Sequence, residues 1–277
     1  MIVHLLDGTY ELFRHFYGQR RFNKGKDKPH AAVNGVLGTV LQMFEEGATH
    51  LGVATDHVIE SFRNELWSGY KTGDGIEPAL RAQFGPLEEA LAAMGVAVWP
   101  MIELEADDAL ASAAHLAAAS KAVTKVCIWT PDKDLAQCVQ GDRVVQVDRR
   151  GGAGGVRDAA GVKAKFGVDP PFIPDWLALV GDSADGYPGI QGIGAVGAAR
   201  LINTHGRIED FPDAVLGERR ELALLFKRLA TLRTDAPLFG HVGQIAWRGP
   251  RPEFAQWVAR LEAPRLAERA RKAAAGR

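Results

Sequence analysis

The sequence has little cysteine, no long apolar run and almost no net charge. Its 277 residues include only two cysteines, Cys127 and Cys138, in no metal-ligand spacing. That excludes a disulfide framework and a thiolate metal site, and both thiols are expected buried or free in a reducing compartment. No apolar stretch reaches the roughly 18 residues that cross a bilayer. The opening MIVHLLDGTY lacks a basic region, a long apolar stretch and a small-residue cleavage site. No secretory signal is read there, and a cytoplasmic location is expected. The formal net charge of −1 points by itself toward neither nucleic acid nor membrane. No internal repeat is found.

What is present is a 47% apolar fraction, enough for a sizeable core. The length suits one large domain or a catalytic domain with an appendage. The first half alternates two kinds of segment. Strand-like runs are IVHLL (2–6), HLGVAT (50–55), VAVWP (96–100), VCIWT (126–130) and VVQV (144–147). Helix-like runs are TYELFRHFY (9–17), AVNGVLGTVLQMFEE (32–46), PALRAQFGPLEEALAAM (78–94) and EADDALASAAHLAAAS (105–120). Apolar strands separated by helices predict an α/β fold with a mostly parallel sheet covered on both faces. The pattern changes after GGAGG (151–155), which is expected to be a loop. Beyond it come helices and turns, with HVGQIAW (241–247) the one strand candidate and a basic C-terminal helix expected to fray. Residues 1–155 and 156–277 are therefore expected as two regions.

The acidic residues fall in a pattern. Asp7 follows the first strand and Asp56 the second. Glu105, Asp107 and Asp108 follow the third after a short connection, and Asp132 and Asp134 follow the fourth. In a parallel sheet the carboxyl ends of the strands share one edge, where ligands bind. Asp182 and Asp185, in GDSADG, are available from the helical half. One such aspartate is ordinarily a turn or cap residue. Four strands ending this way crowd like charges that must hold protons or cations. Hard oxygen donors suit magnesium or manganese, and two such ions would activate a water and stabilise the leaving oxygen of a phosphodiester. Setting these nine carboxylates aside leaves 25 acidic residues against 33 basic ones. That surplus of eight fits a phosphate backbone as partner.

Basic residues gather in RRFNKGKDK (20–28), expected to be a polar loop, and in SFRNELWSGYK (61–71), where Arg63 and Lys71 mix with aromatics. Arg81 follows in LRAQ. Cations beside a metal site can hold a phosphate. GIGAVG (192–197) matches a dinucleotide fingerprint, but no strand precedes it and the context fails. It reads instead as a glycine turn between WLALVG and GAARLI, with backbone N–H groups facing a phosphate.

These motifs together resemble the bacterial and phage 5′-nucleases: the 5′–3′ exonuclease domain of DNA polymerase I and its stand-alone flap-endonuclease relatives. The segments that carry the resemblance are LLDGTYELFRHF, ATDHVIESFRNELWSGYK, LRAQ, ELEADDALAS, TPDKDLAQCV, GDSADGYPGIQGIGAVGAARLI and TLRTDAPL, in family order. It implies a PIN-like nuclease core, a helical arch, and a helix–three-turn–helix that grips duplex DNA. It implies two magnesium ions, with manganese able to substitute. Asp7, Glu105, Asp107 and Asp108 would serve the catalytic ion and Asp132 both. Asp134, Asp182 and Asp185 would serve the second, with Asp56 acting through water. Arg14, Lys71 and Arg81 would steer the scissile phosphate and the 5′ strand. Arg63 and the turn glycines Gly192, Gly194 and Gly197 would join them as DNA contacts, and potassium would sit on carbonyls of that turn. With no polymerase segment following, a stand-alone nuclease is expected. The chain departs from the family at Asp74 in place of an arginine, at Val196 and Gly197 in place of lysine and threonine, and at Pro131 and Gly186.

Three rival readings are weaker. LLDGT resembles part of a haloacid-dehalogenase phosphatase motif, but Leu5 stands where the nucleophilic aspartate is needed. A PIN-type ribonuclease shares the acidic rim but not the glycine turn or the basic arch segment. A non-catalytic DNA-binding relative would have lost ligands, and none is missing.

Overall fold

The computed structural model describes residues 1–24 and 28–276, apart from the side chains of Asn23 and residues 152–154. Strand β1 (Ile2–Asp7) runs into helix α1 (Gly8–Asn23), then α2 (Ala31–Glu45) and β2 (His50–Asp56). Short helices α3 (Phe62–Leu66) and α4 (Pro78–Arg81) precede α5 (Phe84–Ala93), β3 (Ala97–Met101) and α6 (Ala106–Ala119). Strands β4 (Lys125–Trp129) and β5 (Val144–Val147) follow, with β6 (Val156–Arg157) at the edge. The sheet order is β3-β2-β1-β4-β5-β6. The first five strands are parallel and β6 is antiparallel.

The parallel strands read as continuous apolar runs because both faces are covered. Leu6, Leu51 and Val53 pack under α1, α2 and α5, while Val3, Leu5, Val126 and Ile128 pack under α6. The segment 78–94, expected as one helix, is α4 and α5 with a break at Ala82 and Gln83. The basic stretch 20–28 is only partly a loop, since α1 carries Arg20 and Arg21. Residues 25–27 of that stretch, and the loop expected there, lie outside the described residues. No continuous helix spans 57–83, which holds only α3 and α4.

Helices α7 (Ala159–Phe166), α8 (Ile173–Val180), α9 (Ala195–His205), α10 (Asp213–Leu216) and α11 (Arg220–Ala230) form most of a second apolar cluster, which Tyr70, Ala136 and Val139 join from the first half. The region expected over 156–277 is nevertheless divided. Helices α12 (Phe254–Arg260) and α13 (Pro264–Ala275) return to the first cluster. The reason is the stripe Trp257, Val258, Leu261, Leu266 and Ala270, which packs with α2 and α5. The expected strand at 241–247 is a 3-10 turn over Val242–Ile245, tied to β2 by a single bridge, His50 to Ala246. Trp247 there stacks on Phe44 with centroids 3.9 Å apart, so side-chain packing replaces a strand ladder. Among the described residues, no helix is long and apolar enough to cross a membrane.

Candidate metal centre

Strands β1 and β4 are neighbours in the sheet but far apart in sequence, and helices leave their ends toward opposite faces. A crevice at such a switch point is where α/β sheets bind ligands. Asp7 closes β1 and caps α1, its Oδ1 accepting the Tyr10 N–H at 2.8 Å. Its Oδ2 accepts from the Thr130 hydroxyl at 2.9 Å, beyond the end of β4. Asp56 closes β2, and its Oδ1 accepts the Ala106 N–H at 2.8 Å, at the start of α6. Glu105 is the N-cap of α6, and its N–H donates to Asp108 Oδ2 at 3.0 Å.

The turn after α8 delivers the last pair. Asp182 and Tyr187 exchange backbone hydrogen bonds at 2.9 and 3.1 Å, closing a loop that presents Asp185. Gly186 has φ +82°, and a Cβ there would lie 2.0 Å from the Gly69 carbonyl oxygen. Only glycine permits that approach, which lets Lys71 N–H donate to the Asp185 carbonyl at 3.0 Å. The departure from the family at Gly186 is thus a packing requirement.

Three electrostatic settings result. Asp134, Asp182 and Asp185 each offer an oxygen within 4.8 Å of the others. Burial raises the proton affinity of Asp134 far above the carboxylate range, with Asp132, Asp185 and Asp182 adding repulsion. Asp185 is pushed up to about 6 by burial, against the pull of Lys71. Asp134 Oδ1 and the Tyr187 hydroxyl are buried with no hydrogen-bond partner.

The second setting holds Asp7, Asp56, Asp107 and Asp132. Burial lifts Asp7 to about 7 despite the Tyr10 N–H, and the charges of Asp56 and Asp132 contribute. Asp107 is raised well above its usual value by burial, then by Asp132 and Asp7. Asp56 is raised by burial as well. Asp132 is exposed beside them.

The third setting is satisfied. The Lys71 ammonium lies 2.7 Å from Glu105 Oε2 and 2.9 Å from Asp185 Oδ1. Burial opposes the charge of Lys71, but Glu105 and Asp185 outweigh it and raise its pKa. Glu105, also buried, is held below the usual carboxylate range because Lys71 and Arg63 overcome desolvation. The Ser61 hydroxyl donates to Glu105 Oε1 at 2.7 Å.

Two of the expected site residues sit in settings that the sequence does not show. Arg63 is 1% exposed and has no surface to offer DNA. Asp108, expected as a metal ligand, is 0% exposed, and both its oxygens are taken by protein donors. Oδ1 accepts from Arg63 and the Arg233 N–H, and Oδ2 from Arg63 and the Glu105 N–H. The mixed aromatic setting of SFRNELW signalled a packed arginine, not a contact residue.

Other basic positions lie farther out. Arg14, half-exposed on α1, pairs with Glu11 at 2.6 Å. Arg81 is exposed at the end of α4. It helps the Gly73 N–H hold the Glu60 carboxyl below its usual range. The glycine turn joins α8 to α9, with Gly192 at φ +85° and Gly194 as the N-cap of α9. Val196 is 85% exposed in the first turn of α9. Sequence reading missed Thr130, Ser61 and Tyr187, whose types carry no signal until the sheet brings them together. It also missed the pair His57 Nδ1 and Glu88 Oε2, 2.8 Å apart beside Asp56.

The donor set is all carboxylate, crowded enough to hold protons, and includes an unpartnered buried oxygen. It fits hard divalent cations.

Residues 2–167 match the family described as the 5′–3′ exonuclease N-terminal resolvase-like domain, and 168–253 the C-terminal SAM fold of the same exonucleases. The chain is 35% identical to DNA polymerase I of Pseudomonas aeruginosa over 84% of its own length, but spans only 27% of that protein. It is 31% identical to a 5′–3′ exonuclease of Buchnera aphidicola, covering 83% of this chain and 81% of that one. In fold it is similar to the T5 5′-exonuclease with bound divalent zinc, with a TM-score of 0.66 at 19% identity over 99% of this chain and 98% of that one. A variant of the T5 D15 flap endonuclease in a pseudo-enzyme–product complex with DNA and metal ions gives a TM-score of 0.64 at 18% identity, covering 99% and 98%.

Proposed function

The chain belongs to the 5′–3′ exonuclease family, and we propose that it hydrolyses DNA phosphodiester bonds as a 5′–3′ exonuclease and structure-specific flap endonuclease. One observation carries the reading. Carboxylates from four strand ends and one turn meet at the sheet edge, with Asp134 Oδ1 unpartnered and the Lys71 cation beside them.

Asp7, Asp107 and Asp132, with Glu105, would hold one magnesium ion, and Asp134, Asp182 and Asp185 a second, with manganese able to replace either. When bound, such ions supply a nucleophilic water and neutralise the leaving oxygen. The chain's own residues do the positioning. Asp7 and Glu105 are fixed by Tyr10, Thr130 and Ser61, so their free lone pairs keep one direction. Lys71 stands between the two acidic groups, where a scissile phosphate needs a counter-charge. Arg81 and Arg14 lie outside it, suited to the 5′ strand. Gly192, Gly194 and Gly197 leave backbone N–H groups at the start of α9 for a duplex phosphate. Carbonyls of the same turn suit potassium. Two working units follow: the sheet with its flanking helices, over 1–155 and α12–α13, and the helical unit α7–α11 as the DNA grip. Processing of 5′ ends in DNA replication and repair is the setting this activity serves.

A 5′-flap DNA with magnesium is the test. Release of the flap near its junction, lost on chelation, is expected. Metal-independent cleavage, or cleavage of single-stranded RNA alone, would overturn the proposal.

A further inference from the structure

We propose that Arg63 is a positioning residue for the nuclease reaction, and that Asp108 is its counter-charge and not a metal ligand. The inference rests on the rim being a metal site and names which of its carboxylates stand behind it.

A buried guanidinium is costly unless its donors are used. Arg63 uses them on two parts of the molecule, the start of α6 and the end of α11. Its Nη1 reaches Asp108 Oδ2 at 2.7 Å and Glu105 Oε1 at 3.0 Å. Its Nη2 reaches Asp108 Oδ1 at 2.8 Å and the Thr231 carbonyl at 3.3 Å. Its Nε reaches the Leu229 carbonyl at 2.8 Å. The two bonds to Asp108 form a bidentate fork, a geometry a lysine ammonium cannot reproduce.

The contacts define a chain of fixation. Leu229 and Thr231 lie at the end of α11, so the helical unit anchors one side of Arg63. Asp108 sits in the first turn of α6 and is held by the Arg233 N–H at 2.9 Å. Glu105, the N-cap of α6, receives Arg63 and Ser61 on Oε1. Oε2 faces the rim, where the Lys71 ammonium meets it at 2.7 Å and the Tyr70 hydroxyl donates to it at 3.3 Å. An outer partner that fixes one oxygen of a ligand and thereby aims the other is how metal sites are tuned. Arg63 does this for Glu105 while never reaching the rim itself.

The test measures Mn2+ stoichiometry by electron paramagnetic resonance together with thermal stability and cleavage. The wild type is expected to bind two Mn2+ and to cleave a 5′-flap DNA. If it binds none, the metal-site reading fails before the present inference is reached. Asp108→Asn is expected to keep both ions and lose stability, whereas Asp107→Asn loses an ion. The double variant R63M with D108L removes a buried pair together, so no charge is left alone. It is expected to keep a melting temperature near wild type while its half-saturating Mn2+ rises at least tenfold and kcat falls at least tenfold. A double variant that melts, binds Mn2+ and cleaves as wild type would reduce Arg63 to a structural strut. Asp108→Asn that loses an ion with unchanged stability would make Asp108 a ligand. Either result overturns the proposal, and the second does so even if the double variant fails to fold.

Discussion

Glu105 and Asp108 differ from Asp7, Asp107 and Asp134 in what surrounds the charge. All five are carboxylates at or near the end of a strand. Arg63 forks onto Asp108, Arg63 and Ser61 hold Glu105 Oε1, and Lys71 meets Glu105 Oε2 at the rim. The other three carry raised pKa values because burial, and then the charges of neighbouring aspartates such as Asp132, oppose ionisation. The same residue type at one sheet edge thus splits into groups offset by the protein's own cations and groups whose crowding a proton or a bound cation relieves.

Asp107→Asn breaks that contrast most severely. It removes a carboxylate on which burial, Asp132 and Asp7 outweigh the pull of Lys71, so flap cleavage is expected to fall more than about 10³-fold. Melting without metal should stay level or rise. Cleavage within threefold of wild type would refute the assignment. Asp108→Asn tests the other side. A buried arginine would lose its partner, and urea unfolding should show a loss of about 3–5 kcal/mol. An unchanged midpoint would mean that the pair contributes nothing.

Protons sharpen the comparison further. The folded pKa of Asp7 is about 7 and that of Asp185 about 6, both above the ordinary 3.8. The folded state holds these protons longer than the unfolded chain. The stability this confers is full below pH 3.8 and is lost as pH rises through 6 to 7. Chelated protein should therefore melt lower at pH 8 than at pH 5, and magnesium should raise the melting temperature more at pH 8. An equal magnesium effect at both values would mean the rim is not what binds it.

The smallest effect belongs to the glycine turn. Val196 is exposed where the resemblance places a lysine. Val196→Lys is expected to tighten duplex binding severalfold and steepen the salt dependence of log K by about one unit. Fluorescence anisotropy across a salt series reads both. No change in slope would place the turn away from phosphate.

The sheet and the rim were legible because their causes are local. Apolar runs of strand length mark β1 to β5, and an aspartate directly after a strand needs no tertiary knowledge to place. The two-residue strand β6 offers no periodicity at all. The return of α12 and α13 to the first cluster depends on a partner surface from α2 and α5. The roles of Arg63 and Asp108 were hidden for a similar reason. EADD reads as four neighbours with one purpose, yet helical geometry turns Asp107 and Asp108 to different sides. Asp108 turns to the Arg63 fork and is capped by the Arg233 N–H, 125 residues farther on, whereas Asp107 turns to the rim carboxylates.

The register of β1 against β4 has a consequence in time. Leu5 pairs with Ile128 and Leu6 with Trp129, so the strand that carries Asp7 waits for one synthesised much later. Asp182 and Asp185 arrive later still. Contacts so distant in sequence form slowly, after the loop entropy between them has been overcome. A nascent chain therefore owns every local helix before it owns a site. The acidic rim is thus among the last features the molecule completes.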